Sequence, residues 1–209
     1  MTKRILLLTD SLSLPRSKPE ICSLEQTYPE LLRSANYTVC TVAIGGANSA
    51  DLLKQIFYFE GMTFDYIFIQ SGIVDCTPRF LKRTELKILR SIPFIGNKII
   101  GLLNKNWVRN IRSITYTPPK KYAQHIQKFI TGFPKQKVYF IGILPANEAY
   151  EQVVKNVTNR INQYNLILSN TGNYISMENI PSAGIMSDHH HLTAAGHVYI
   201  FESIKKLIN

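Results

Sequence analysis

The chain has 209 residues, 45% of them hydrophobic, and a formal net charge of +10. That length suits one α/β domain burying roughly 70% of its unfolded surface, so the core needs no covalent staples. Three scattered cysteines (Cys22, Cys40, Cys76) exclude a disulfide framework and a CxxC zinc site, and no run reaches the ~18 apolar residues of a membrane-spanning helix.

In chain order, the first element is an apolar run over 4–9, closed by Asp10. Four apolar residues are too few for the ~7–15 of a signal core, so the expected compartment is the cytoplasm. Further short runs rich in Ile, Val, Tyr and Phe follow at 37–44, 65–70, 137–143 and 174–177. They lack clean alternation, the pattern of strands covered on both faces. Helical spacing lies between them: from Ser49, over 121–129, from about 150 to 169, and over 193–208 with Thr193 as cap. Strands alternating with helices predict a single α/β domain over residues 1–209, with a five-stranded parallel sheet between helical layers.

The stretch from 79 to about 119 exceeds any minimal crossover. It carries helical spacing over 81–92 and 99–114 and is expected to form a helical insertion. From Lys82 to Lys121 there are ten basic residues against Glu85 alone, which accounts for nine of the ten net positive charges. Residues 94–114 interleave Ile95, Ile99, Leu102, Trp107 and Ile111 with Lys98, Lys105, Arg109 and Arg112, as in a basic amphipathic helix. Two readings stay open: attachment to an anionic membrane surface, placing the protein peripherally on the inner membrane, or a cap helix packed on the domain with a solvated basic face. Nucleic acid is not an expected partner, since no recognised motif is present and stacking aromatics are sparse.

In parallel sheets chemistry gathers at the carboxyl ends of the strands. Ser11, Gly45-Gly46, Gly72 and Asp75 each follow an expected strand, and Asp188 stands three residues before His191 near the C-terminus. Ser11 alone fits a turn or a helix cap. With a histidine base and a carboxylate to orient it, the same serine becomes a nucleophile. Adjacent side chains on an extended segment point opposite ways, so His189, His190 and His191 are not expected to share a metal ion. No cofactor is expected.

These markers resemble the SGNH or GDSL hydrolases, serine esterases with a flavodoxin-like three-layer α/β/α fold. Thr9-Asp10-Ser11-Leu12 is similar to the Gly-Asp-Ser-Leu block, with Thr9 in place of glycine. Gly45-Gly46-Ala47-Asn48 is similar to the glycine block after the second strand. Gly72-Ile73-Val74-Asp75 is similar to Gly-x-Asn-Asp, but Val74 replaces the asparagine. Asp188, His191 and Leu192 match Asp-x-x-His-Leu. The run 72–79, with 10–16, further resembles a subgroup found beside bacterial surface-polysaccharide genes.

The resemblance implies a catalytic triad of Ser11, His191 and Asp188, with an oxyanion hole from the amides of Ser11 and Gly46. The third donor is missing at Val74; Asn48 and Arg79 are candidate substitutes. Arg16 and Arg79 suit an anionic substrate, and Asp75 is expected to order its loop beside the substrate. The expected activity is deacylation of a small-molecule or glycan ester, acetyl first, on a glycan or glycolipid precursor. O-acyl transfer to a polysaccharide through the same residues, and a catalytically silent basic membrane- or complex-binding protein, remain alternatives.

Overall fold

The computed structural model describes residues 2–208. Five strands form one sheet: β1 (Arg4–Thr9), β2 (Thr38–Ala43), β3 (Tyr66–Gln70), β4 (Lys137–Ile141) and β5 (Tyr174–Ile175). Their order is β2-β1-β3-β4-β5, and every pairing is parallel. The helices are α1 (Tyr28–Ser34), α2 (Ser49–Leu53), α3 (Ile73–Cys76), α4 (Arg83–Arg90), α5 (Gly96–Leu103), α6 (Asn106–Arg112), α7 (Pro119–Gly132), α8 (Glu148–Val153), α9 (Val157–Ser169) and α10 (Ala194–Ile208).

The absence of alternation in β1 has a direct cause. Ile5, Leu6, Leu7 and Leu8 have no exposed surface, because both faces of the strand are covered. Leu6 and Leu8 join Ile67, Ile69, Phe129 and Phe140 in the core beneath α7 and α9. Ile5 and Leu7 join Phe68, Ile141, Ile200 and Ile204 in the core beneath α10. The period-two pleat thus divides one apolar run between two cores, which makes three layers.

Two expected helices are broken, each for a local reason. The stretch 150–169 divides into α8 and α9. Val154 is extended and Asn156 has a φ of 64°, so the helix cannot run through. The Glu151 carboxylate then accepts from the Thr158 amide (2.9 Å) and hydroxyl (2.7 Å), satisfying the start of α9. In the insertion, the continuous amphipathic helix expected over 94–114 is instead α5 and α6. Asn104 and Lys105 leave helical geometry between them, and Ser113 ends α6 at a φ of 46°. α1 has no counterpart in the sequence pattern; it is seven residues long with Pro29 in its first turn, too short to show a helical period.

The insertion is closed at its base. Arg79 and Ile114 form an isolated antiparallel bridge, with the Arg79 amide on the Ile114 carbonyl at 2.8 Å. Everything between them returns to where it left the domain.

Gly72, just after β3, has a φ of 139°, and an added Cβ would lie 2.4 Å from Ile143 Cδ1. Gly101 in α5 has open space around it. Gly72→Ala is therefore expected to lower the unfolding free energy by about 1–3 kcal/mol or more, whereas Gly101→Ala raises it by up to ~1 kcal/mol. Urea denaturation of the two variants checks both signs.

Candidate active site

Ser11 is presented by the end of β1. The Asp10 amide still donates to Gln70 of β3 (3.1 Å). The Asp10 side chain then accepts from the Leu12 amide at 2.9 Å, capping a single 3-10 turn over Ser11–Ser13. The strand order reverses between β1 and its neighbours β2 and β3, the place where α/β sheets open a crevice.

The base is held by its own local turn. Asp188 Oδ1 accepts the amides of His190 (3.2 Å) and His191 (3.1 Å), while Oδ2 takes the His191 ring at Nδ1, 2.7 Å away. That bond places the ring proton on Nδ1 and makes Nε2 the ring's acceptor, which both Ser11 Oγ and the Arg16 guanidinium approach. His191 Nε2 lies 3.1 Å from Ser11 Oγ. Burial lowers the His191 pKa below the ordinary imidazole value, and His190 and Arg16 add to this against the opposing Asp188. The ring is thus neutral, in the form a base requires, at neutral pH. Burial pushes the Asp188 carboxyl upward, but the His191 ring and the His190 amide outweigh it and hold it below the usual carboxylate range.

Around this pair lies a cleft of about 520 Å³, lined among others by Ser11, Arg16, Gly46, Val74, Arg79, Arg109, Tyr150 and the segment 188–191. The Ser11 and Gly46 amides donate to no internal acceptor among the described residues, and Gly46 has a φ of 70° that suits glycine. Val74 forms part of the wall beside them and offers no donor. A second cavity of about 570 Å³, around Thr115, Arg160 and Tyr164, holds no activated nucleophile.

Two residues expected at the substrate lie elsewhere. Asn48 is buried and caps α2: its Oδ1 accepts from the Asp51 amide at 3.1 Å, its Nδ2 faces Thr117 Oγ1 at 3.5 Å, and it does not line the cleft. Asp75 has no exposed surface and accepts the Ser49 amide (3.0 Å) and hydroxyl (2.6 Å). It joins loops behind the cleft wall and does not reach into the cleft. Arg16 and Arg79 do line the cleft, and the Arg16 guanidinium meets His191 Nε2, the same nitrogen that faces Ser11.

Arg109 and Tyr150 were not legible as site residues. Arg109 arrives from α6 of the insertion, and Tyr150 from the start of α8. The Tyr150 ring stacks on His189 (5.7 Å) and His190 (6.1 Å), building one wall. Donor atoms of Asp188, His190 and His191 lie within 4.8 Å of one another, as a metal cluster would. Their arrangement is accounted for by hydrogen bonds: His190 Nδ1 to the Asp188 carbonyl (2.6 Å) and His191 Nδ1 to its carboxylate.

No family model and no curated protein sequence matches the chain. Solved structures do. The lipase/acylhydrolase from Enterococcus faecalis superposes with a TM-score of 0.66 at 14% identity, over 99% of this chain and 95% of that one. Phospholipase A1 from Streptomyces albidoflavus NA297 gives 0.63 at 15% identity, over 99% of both chains. The psychrotrophic esterase EstA from Pseudoalteromonas sp. gives 0.58 at 15% identity, over 98% and 95%.

The fold is that of the GDSL lipolytic hydrolases. Against the block pattern that its sequence resembles, the chain departs at Thr9 and Val74. The Thr9 hydroxyl bonds to Ser13 inside the turn, a contact glycine cannot make. Val74 leaves the cleft wall apolar where the family pattern has an amide.

Asp10 gives the frame a pH dependence. Burial raises its carboxyl to about 7, against an ordinary value of 3.8, and Oδ2 has no partner among the described residues. Between those values the folded chain keeps a proton that the unfolded chain has released, so stability falls as pH rises through this window. Asp10→Asn keeps an acceptor for Leu12 and removes the titration. Relative to wild type, its unfolding free energy is expected to improve by roughly 1.4 kcal/mol per pH unit from pH 4 upward, levelling off above pH 7. Denaturation series across pH 4–8 measure this.

Proposed function

We propose that this chain is a serine ester hydrolase working through an acyl-enzyme. The observation that carries the reading is the continuous line Ser11 Oγ–His191 Nε2 (3.1 Å) and His191 Nδ1–Asp188 Oδ2 (2.7 Å). Ser11 Oγ attacks the ester carbonyl while His191 Nε2 takes its proton. The oxyanion forms against the Ser11 and Gly46 amides. The intermediate collapses, His191 returns the proton to the leaving alcohol, and water then repeats the sequence on the acyl-serine. Removing one oxyanion donor typically lowers kcat by ~10²–10³. With Val74 in the wall, the turnover expected here is correspondingly slow unless a cleft cation takes the third position. The class of substrate we propose is an O-acylated glycan or glycolipid precursor, acetyl esters first; the cleft offers both apolar wall (Ile73, Val74, Val153) for an acyl group and polar side chains for a sugar.

Val74 also favours a second reading, in which the chain binds an acylated ligand without turnover. A fluorophosphonate probe separates the two. Labelling of Ser11, absent in Ser11→Ala, is expected, with a rate that declines as pH falls through a His191 midpoint below the ordinary imidazole value. A folded wild type that never labels leaves only the binding reading. For a labelled enzyme, product analysis with an acceptor sugar present shows whether water or a hydroxyl takes the acyl group.

The insertion supports peripheral attachment to an anionic lipid surface. Phe94 (94% exposed), Ile111 (75%), Leu102 (72%) and Trp107 (66%) stand out into solvent among lysines and arginines. No helix among the described residues is long and apolar enough to cross a membrane. Co-sedimentation with vesicles rich in phosphatidylserine is expected at low salt and lost at high salt, and Trp107→Ser weakens it. Failure to sediment at low salt would remove the membrane from the account.

A further inference from the structure

Arginines in this chain divide three ways. Arg4, Arg90 and Arg160 lie outside the cleft, and their side chains have no carboxylate partner among the described residues. Arg33, Arg83 and Arg112 pair with Glu30, Asp51 and Glu85. Arg16, Arg79 and Arg109 form no ion pair with any carboxylate among the described residues, and all three line the catalytic cleft. Each has a buried Nε with no protein acceptor. Arg79 lies 5.4 Å over the Tyr116 ring, which holds its guanidinium without neutralising it. Arg109 reaches only the Asn104 side-chain oxygen, at 3.2 Å, and Arg16 only His191.

The three also act on shared neighbours. Burial raises the Tyr150 phenol, while Arg79 and Arg109 both pull it down. Burial likewise lowers His190, with Arg79 and Arg16 both pressing in the same direction. Among the described residues, the only carboxylate lining the cleft is that of Asp188, already committed to His191. Three fixed positive charges therefore converge on one concave surface with no internal anion to balance them.

We infer that the cleft takes an acyl ester bearing a phosphate group, with Arg79 and Arg109 on the phosphate oxygens and Arg16 beside them. A single carboxylate would balance one of three cations; a phosphate balances up to two and offers enough oxygens for several guanidinium forks. Bound phosphate also gives Arg16 an acceptor other than His191 Nε2, freeing that lone pair for Ser11. Arg109 comes from the insertion, so the segment that distinguishes this chain from a minimal sheet delivers the selectivity. The inference rests on the ester-hydrolase reading for the fate of the ligand, and on the arginines alone for its binding.

Isothermal calorimetry on the wild-type chain tests it with glucose 6-phosphate, glucuronate and glucose, none of which is a carboxylic ester. Glucose 6-phosphate is expected to bind at least tenfold more tightly than glucuronate, and glucose not measurably. Arg79→Gln and Arg109→Gln, each confirmed folded by circular dichroism, should weaken glucose 6-phosphate at least tenfold. Lys98→Gln, on α5 outside the cleft, should not. Equal affinity for glucuronate overturns the phosphate assignment. Equal loss in Lys98→Gln, or no loss in either arginine variant, overturns the site. Phosphate binding without fluorophosphonate labelling would remove the ester reading and leave this site; labelling without phosphate binding would do the reverse.

Discussion

The cleft depends on one carboxylate that never reaches it. Asp75 is fully buried at the carboxyl edge of the sheet, in the loop after β3. Its oxygens take the amide and hydroxyl of Ser49, at the start of α2, and Ser49 Oγ in turn lies 2.8 Å from His125 Nδ1 on α7. The Asp75 carbonyl accepts the Thr117 amide at 3.4 Å. Three segments distant in sequence, around Ser49, Asp75 and residues 117–125, are thereby tied at one point. Burial raises the Asp75 pKa even though these hydrogen bonds pull it down. Each hydrogen bond to a charged group contributes about 1.5–3 kcal/mol, which offsets part of that penalty while tying the segments together. Since Gly46 sits between β2 and Ser49, and Val74 next to Asp75, this knot sets the spacing of the two walls facing Ser11.

The same edge contains a second buried acid with the opposite character. Asp10 has one satisfied oxygen and one without a partner, and its carboxyl is raised to about 7. Asp75 has several donors and stabilises the loops; Asp10 shapes the nucleophile's turn and becomes a liability once it ionises. Repulsion from Asp75 adds to burial in raising the Asp10 pKa. The turn that presents Ser11 is thus built from a residue whose charge the fold resists. The positive cleft lies directly beyond it, and Arg16 partly offsets that charge.

Much of the fold was legible because it follows from local pattern. β1 falls on the expected residues, and the other four strands lie within the expected runs, trimmed by at most two residues at either end. Strand burial on both faces is written in the lack of alternation, and parallel order follows from the intervening helices. What the pattern missed was chain geometry at single residues. Asn156 in a left-handed conformation splits one helix, and the extended Asn104–Lys105 link splits another; hydrophobic period is blind to both. α1 was invisible because seven residues do not define a period.

The site was legible where chemistry is local and not where it is assembled. Ser11 and the Asp188–His191 turn are short motifs whose hydrogen bonds lie within four residues, so spacing alone suggested them. Asn48 and Asp75 looked like ligand-binding residues because polar side chains after strands usually face the crevice. Asn48 instead accepts the Asp51 amide at the start of α2; Asp75 does take the expected loop-ordering role, through the Ser49 amide, but from behind the cleft wall. Arg109 was concealed for the converse reason. In sequence it is one of ten basic residues in a solvated-looking segment; in space the Arg79–Ile114 bridge turns that segment back on its own base and brings α6 to the cleft. On the proposed reading, the groups that would break an ester and those that would choose one thus come from different parts of the chain. The first is carried by the sheet edge and is fixed by the fold. The second hangs on an insertion that can change its charge and length while leaving Ser11, His191 and Asp188 in place.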